Sequence, residues 1–113
     1  KDDSKNEEES ISKEVELDNV GLRLIGLNKE VRAKYNIPKN VSGVVITAVK
    51  AGSFAAKSGL NVGNVISQIR QKEVKKTEDV KKIFDKAISS KQESVLLQIF
   101  ENGFSKFLIL KLQ

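Results

Sequence analysis

The stretch Gly43-Val-Val-Ile-Thr-Ala-Val-Lys-Ala-Gly-Ser-Phe-Ala-Ala-Lys-Ser-Gly-Leu-Asn-Val-Gly-Asn-Val-Ile66 carries three structural signals in a row. Val44–Val49 is β-branched and nearly free of polar residues, which predicts a buried strand. Ser53 is placed to cap a helix of one to two turns running through Ser58, and Gly59 supplies the C′ residue that closes it. Val65–Ile69 then predicts a second strand.

Working outward, Val80, Ile83, Phe84 and Ala87 recur at spacings of three and four. That periodicity predicts a helix over Thr77–Ile88, with Glu78 and Asp79 at its positive end. Two strands follow, Ser94–Phe100 and Ser105–Leu112, joined at Asn102-Gly103, a pair suited to the positive φ angles of a type I′ turn. On the N-terminal side, Val20, Leu22 and Leu24 alternate as in a half-buried strand, which Gly21 and Gly26 interrupt. Asn28 is a cap for a short helix over Lys29–Tyr35, and Pro38 prevents its continuation. Residues 1–14 are polar and lack apolar periodicity, predicting a disordered acidic linker ahead of a domain over 15–113. About five short strands with two or three helices make an α+β, partly open barrel.

Composition narrows the chemistry. The 113 residues suit one small domain, and they contain neither cysteine nor histidine. Disulfides, thiolate metal sites and a Ser-His-Asp triad are therefore excluded for this chain by itself. No phosphate-cradling glycine loop and no calcium-loop motif occurs, so no cofactor or metal is expected. Among the serines and lysines, none lies in an evident cleft-forming context for a Ser-Lys dyad. Residues 1–18 hold three lysines against eight acidic residues, whereas residues 19–113 hold 17 basic and seven acidic residues. This reads as a solvated basic surface with an acidic tail, or as a preference for acidic peptides or membrane surfaces. The five Phe and one Tyr lie mostly within apolar runs, so nucleic acid is not an expected partner. No apolar run approaches the roughly 20 residues needed to cross a bilayer. A chain that begins at Lys1 without a signal peptide reads as a mature fragment or an excised piece.

The quoted stretch resembles PDZ domains of the bacterial HtrA (Do-like) serine proteases. Their pattern is G-V-x-V-x-x-V, then G-S-x-A-x-x-A/S-G-L, then G-D-x-I, and the likeness extends from about Val20 to Leu112. Two departures stand out. Asn64 replaces the usual Asp, and Arg70-Gln71 replace the usual Asn-Gly of the next hairpin, which bears on hairpin stability rather than on the cleft. The resemblance implies a PDZ-like partly open barrel or sandwich of five to six strands with two to three helices.

It also implies a peptide-binding mechanism. In such domains a peptide C-terminus adds as an antiparallel strand between a sheet edge and the long helix. Matched residue by residue, the carboxylate-binding loop is Asn19-Val20-Gly21-Leu22, with Gly21 permitting a nest of N–H groups. Asn at 19, where the family often has Gly, tolerates positive φ better than most residues. The receiving strand is Arg23-Leu24-Ile25-Gly26-Leu27. Val20, Leu22 and Leu24 line an apolar pocket or belong to the core, and Phe84 closes that pocket or is core as well. Thr77 meets the peptide or caps the helix, and Lys81 meets an acidic side chain or is solvated.

The expected partners are polypeptide C-termini, unfolded segments, and other domains or subunits of a parent serine endopeptidase in periplasmic protein quality control and stress response. The closing strand, with almost no tail, suits a second, C-terminal PDZ domain, a position often given to assembly. The alternatives are an enzyme in its own right and a PDZ domain of another membrane- or secretion-associated protease or scaffold.

Overall fold

A computed structural model describes residues 14–112; residues 1–13 of the predicted linker lie outside the described residues. Ten elements follow in chain order: β1 (Val15–Leu17), β2 (Leu22–Gly26), α1 (Lys29–Tyr35), β3 (Val44–Val49), α2 (Phe54–Ser58), β4 (Val65–Ile69), β5 (Lys72–Glu73), α3 (Thr77–Ser89), β6 (Ser94–Glu101) and β7 (Phe104–Lys111). All strand pairs are antiparallel, in the order β1-β2-β3-β4-β6-β7, with β5 paired to β4. Among the described residues the α+β, partly open PDZ-like architecture is thus observed, as an open sheet with three helices. The strands described number seven because β1 and β5, of three and two residues, are too short to show a period. No helix among the described residues is long and apolar enough to cross a membrane.

The apolar run Val44–Ile46 that opens β3 has a packing cause. Val44 and Ile46 face a large core shared with Leu22, Leu24, Ile66, Ile69, Leu97, Ile99 and the Val80-Phe84-Ala87 stripe of α3. Val45 faces the other way, into a second cluster with Leu27, Val31, Ile37 and Val65, flanked by Tyr35 and Phe100. With both faces covered at Val44–Ile46, these three positions take only apolar residues, and the polar Thr47 stands where the strand is half-buried. β3 and β4 meet at only two residue pairs, Val44↔Ile66 and Val45↔Val65. There the backbones nearly touch: a Cβ on Gly43 would stand 2.2 Å from the Ile66 carbonyl oxygen.

Two bulges bend the sheet. In β3, Thr47 is passed over between the pairs Arg23↔Ala48 and Leu24↔Ile46, and in β4, Ser67 is passed over between Ile66↔Ile99 and Gln68↔Gln98. Ser67 Oγ donates to the Gln98 carbonyl at 3.1 Å, which ties the bulged residue to β6. Thr47 Oγ1 lies 3.2 Å from the Arg23 carbonyl and donates to Glu14 Oε2 at 2.7 Å, which ties the residue preceding β1 to the sheet.

The expected caps form. Asn28 Oδ1 accepts from Val31 N at 2.8 Å and Ser53 Oγ from Ala56 N at 3.2 Å, while Gly59 ends α2 at φ 96°. The cap of α3 is Lys76, in extended conformation and without a side-chain cap bond, so the reading of Thr77 as N-cap is corrected: Thr77 is the first helical residue. Asn102 and Gly103 take φ of 52° and 90°, as the type I′ turn requires. Arg70 and Gln71 also take positive φ, 54° and 69°, at a cost of about 1 kcal/mol each for residues that carry a Cβ. The Arg70 N–H donates to the Leu96 carbonyl at 2.8 Å, which helps to hold the turn.

β7 alternates along its second half. Leu110 is buried and Leu108 packs on the core, but Phe104, Phe107 and Ile109 are 76%, 64% and 61% exposed on this outermost strand. Phe107, which opens the apolar run Phe107–Leu110, therefore faces solvent, as does Phe104 beside the turn.

Candidate functional site

The turn between β1 and β2 is built by Gly21. At φ +82° it lets two successive amides converge on one acceptor: Val20 N and Gly21 N donate to the Leu17 carbonyl at 3.3 and 2.8 Å. The turn is pinned from behind, with Lys50 N donating to the Gly21 carbonyl at 2.9 Å and Ala55 N, in the first turn of α2, to the Val20 carbonyl at 3.0 Å. A Cβ on Gly21 would lie 2.3 Å from Ser53 Cβ, so the turn and the α2 cap are packed directly on each other. Asn19 is exposed and does not take the positive φ that the sequence suggested; the left-handed residue of the turn is Gly21.

β2 has neighbours on both sides. β3 runs along one edge, and β1 is paired along the other in the register Val15↔Leu24, Glu16↔Arg23 and Leu17↔Leu22. α3 packs on both β1 and β2, so β1 lies in the groove between strand and helix. Where the sequence reading left this edge for a ligand, the chain's own strand covers Leu22–Leu24 and stops short of Ile25 and Gly26. The reason is local: a turn at Asp18–Gly21 folds Val15–Leu17 straight back, and Leu17 becomes 94% buried.

The remaining candidates divide accordingly. Val20, Leu22, Leu24 and Phe84 are fully or almost fully buried in the large core. Thr77 is buried at the start of α3, Lys81 is exposed on its outer face, and Arg23 is exposed opposite Glu16. The Arg23–Glu16 ion pair, at 3.4 Å with both side chains about half exposed, contributes at most about 1 kcal/mol. Ile25 and Leu27 turn to the second cluster beside α1, away from the groove, and Gly26 is buried between them. A shallow cleft of about 240 Å³ remains at the turn, bordered by Leu17, Gly21, Arg23, Val49 and Lys50.

A second polar cluster escaped the sequence reading because its members are distant in sequence. Asn64 is buried, and its Oδ1 accepts from Asn61 N at 3.0 Å. Its side chain also hydrogen-bonds Glu101, which pairs with Lys106 Nζ at 2.8 Å. Lys106 first, and then Asn64, hold the Glu101 carboxyl below the usual glutamate value of about 4.5. The stability linked to this group is therefore present above that value and lost as pH falls through the lower, folded-state one. The cluster also accounts for Asn where the resembling pattern has Asp, since an aspartate would set a second carboxylate against Glu101. Asn64→Asp is expected to cost about 1 kcal/mol or more at pH 7 and less near pH 4, where protonation relieves the repulsion. Urea midpoints at the two pH values check this, and a pH-independent loss would disprove it.

No family model matches the chain. Curated relatives are named probable periplasmic DegP-like serine endoproteases. Those of Chlamydia trachomatis and Chlamydia pneumoniae are 28% and 30% identical over 95 residues, which is 84% of this chain and 18% and 19% of theirs. That of Brucella suis is 38% identical over 68 residues, 60% of this chain and 13% of the relative. The chain therefore spans less than a fifth of the length of these relatives. Among solved structures, the HtrA3 PDZ domain bound to a phage-derived ligand (FGRWV) has a TM-score of 0.65 at 14% identity, over 88% of this chain and 84% of that one. The HtrA-type protease AlgW with a decapeptide scores 0.63 at 18% identity, over 81% and 27% of the two chains. The PDZ domain of EpsC from Vibrio cholerae scores 0.56 at 11% identity, over 85% and 99%.

Proposed function

We propose that this chain, a PDZ-fold domain homologous to segments of DegP-like serine endoproteases, is the peptide-binding module of such a protease in the bacterial cell envelope. It would serve protein quality control by holding C-termini or extended segments of other polypeptides. Catalysis would belong to a protease domain elsewhere in the parent. The observation that supports this best is the convergence of the Val20 and Gly21 N–H groups at the head of β2, beside a groove floored by α3. Two adjacent amides aimed at one oxygen suit a terminal carboxylate, and charge-assisted hydrogen bonds are worth about 1.5–3 kcal/mol each.

The test is a chemical-shift titration of the isotope-labelled chain with peptides ending in a free apolar residue. Shifts are expected to cluster in Val20–Leu24 and Thr77–Phe84 and to weaken on C-terminal amidation. Shifts confined to other surfaces would reject the groove. A second reading, assembly within the parent, is supported by the exposed Phe104, Phe107 and Ile109 of β7. It predicts concentration-dependent shifts along β7 without any peptide.

A further inference from the structure

We propose that β1 is the groove's own resident ligand, and that a peptide from outside binds by displacing it. This rests on the groove reading above. β1 has the polarity a ligand needs: it runs antiparallel to β2 with its C-terminal end, Leu17, at the Gly21 turn. Its terminal carbonyl sits on the two amides assigned to a ligand carboxylate, Gly21 N at 2.8 Å and Val20 N at 3.3 Å. Its side chains alternate as a bound peptide's would. Leu17 is buried, Glu16 is exposed against Arg23, and Val15 packs on the core.

The occupant defines the class of peptide the groove accepts: an extended segment with an apolar last residue and a second apolar residue two positions earlier. An acidic residue between them would match Arg23. β1 holds its place through three residue pairs, the Glu14–Thr47 hydrogen bond and the burial of Leu17 beneath α3, so a displacing peptide must bring an apolar last residue of its own to that site. Opening it exposes the Leu22–Leu24 edge and frees both amides at once. The apparent affinity for an outside peptide is then the intrinsic affinity reduced by the fraction of open molecules.

The chain has no cysteine, which allows a clean latch. Glu16 and Arg23 are directly paired and exposed, and facing residues in antiparallel strands lie about 4.5–5.5 Å apart at Cα, within disulfide reach. The probe is a free-acid heptapeptide copying residues 11–17, titrated into the full chain. Glu16→Cys/Arg23→Cys is expected to form the disulfide, to lose peptide binding at least about tenfold on oxidation, and to regain it on reduction. Val15→Ser, which weakens β1 at a half-buried position, is expected to tighten binding several-fold over the parent chain. Equal binding by oxidised and reduced forms, with shifts still in the groove, would overturn the competition and leave the groove intact. Failure of the disulfide to form would overturn the observed register. Binding by none of the three proteins would reject the groove reading itself.

Discussion

Phe84→Ala is expected to lower the unfolding free energy by about 3–5 kcal/mol, because it empties a closed core site rather than one wall of an open pocket. Phe84 is 1% exposed and belongs to the same cluster as Leu17, Val20, Leu22, Leu24 and Leu97. A domain of this size has only about 5–15 kcal/mol in hand, so the variant should unfold at much lower urea concentration. Equilibrium denaturation followed by far-UV circular dichroism measures the effect. A loss under about 1 kcal/mol, accompanied by weaker peptide binding, would make Phe84 a pocket wall and refute its place in the core.

Gly21→Val is expected to damage the fold by about 2–6 kcal/mol, from two separate causes. A β-branched residue at φ +82° is strained by about 1–3 kcal/mol, and forcing extra atoms into a packed site costs about 1–3 more. Its Cβ would meet Ser53 Cβ at 2.3 Å and Ser53 Oγ at 2.6 Å, and Ser53 is the cap of α2. From the sequence alone, this substitution would be expected to crowd a ligand nest with smaller harm to the domain. The close packing of the turn against α2 reverses that order. Thermal melts compared with those of Gly52→Val discriminate the two causes, since Gly52 also has positive φ but has nothing within 4 Å of a built Cβ. Equal losses would mean that backbone strain alone acts at Gly21.

The groove residues were legible as residues but not as a surface. Val20, Leu22 and Leu24 alternate in the sequence, and the alternation says only that they share one side of a strand. Whether that side meets a ligand or a core depends on what lies opposite, here α3 and β1. Thr77 and Lys81 share a helix with Phe84, yet Thr77 is buried in one stripe with Val80, Phe84 and Ala87 while Lys81 lies outside it and is exposed. The Asn64–Glu101–Lys106 cluster joins a turn to a hairpin nearly forty residues later, beyond the reach of any local pattern.

By itself the sequence determined the local elements. Ser53 and Asn28 cap helices because their side-chain oxygens reach free N–H groups. Asn102-Gly103 turns because both residues tolerate positive φ, and Val44–Val49 is a strand because β-branched side chains fit a pleat. Each is a short-range property, carried by a residue and its neighbours. Tertiary structure alone decided what covers each face and edge. It placed Val45 against α1 while Val44 and Ile46 face the main core, turned Phe107 and Ile109 to solvent, and folded Val15–Leu17 onto the edge of β2. A three-residue strand has too few side chains to display a period, and its pairing is fixed by contacts with β2 and α3 that no local pattern encodes.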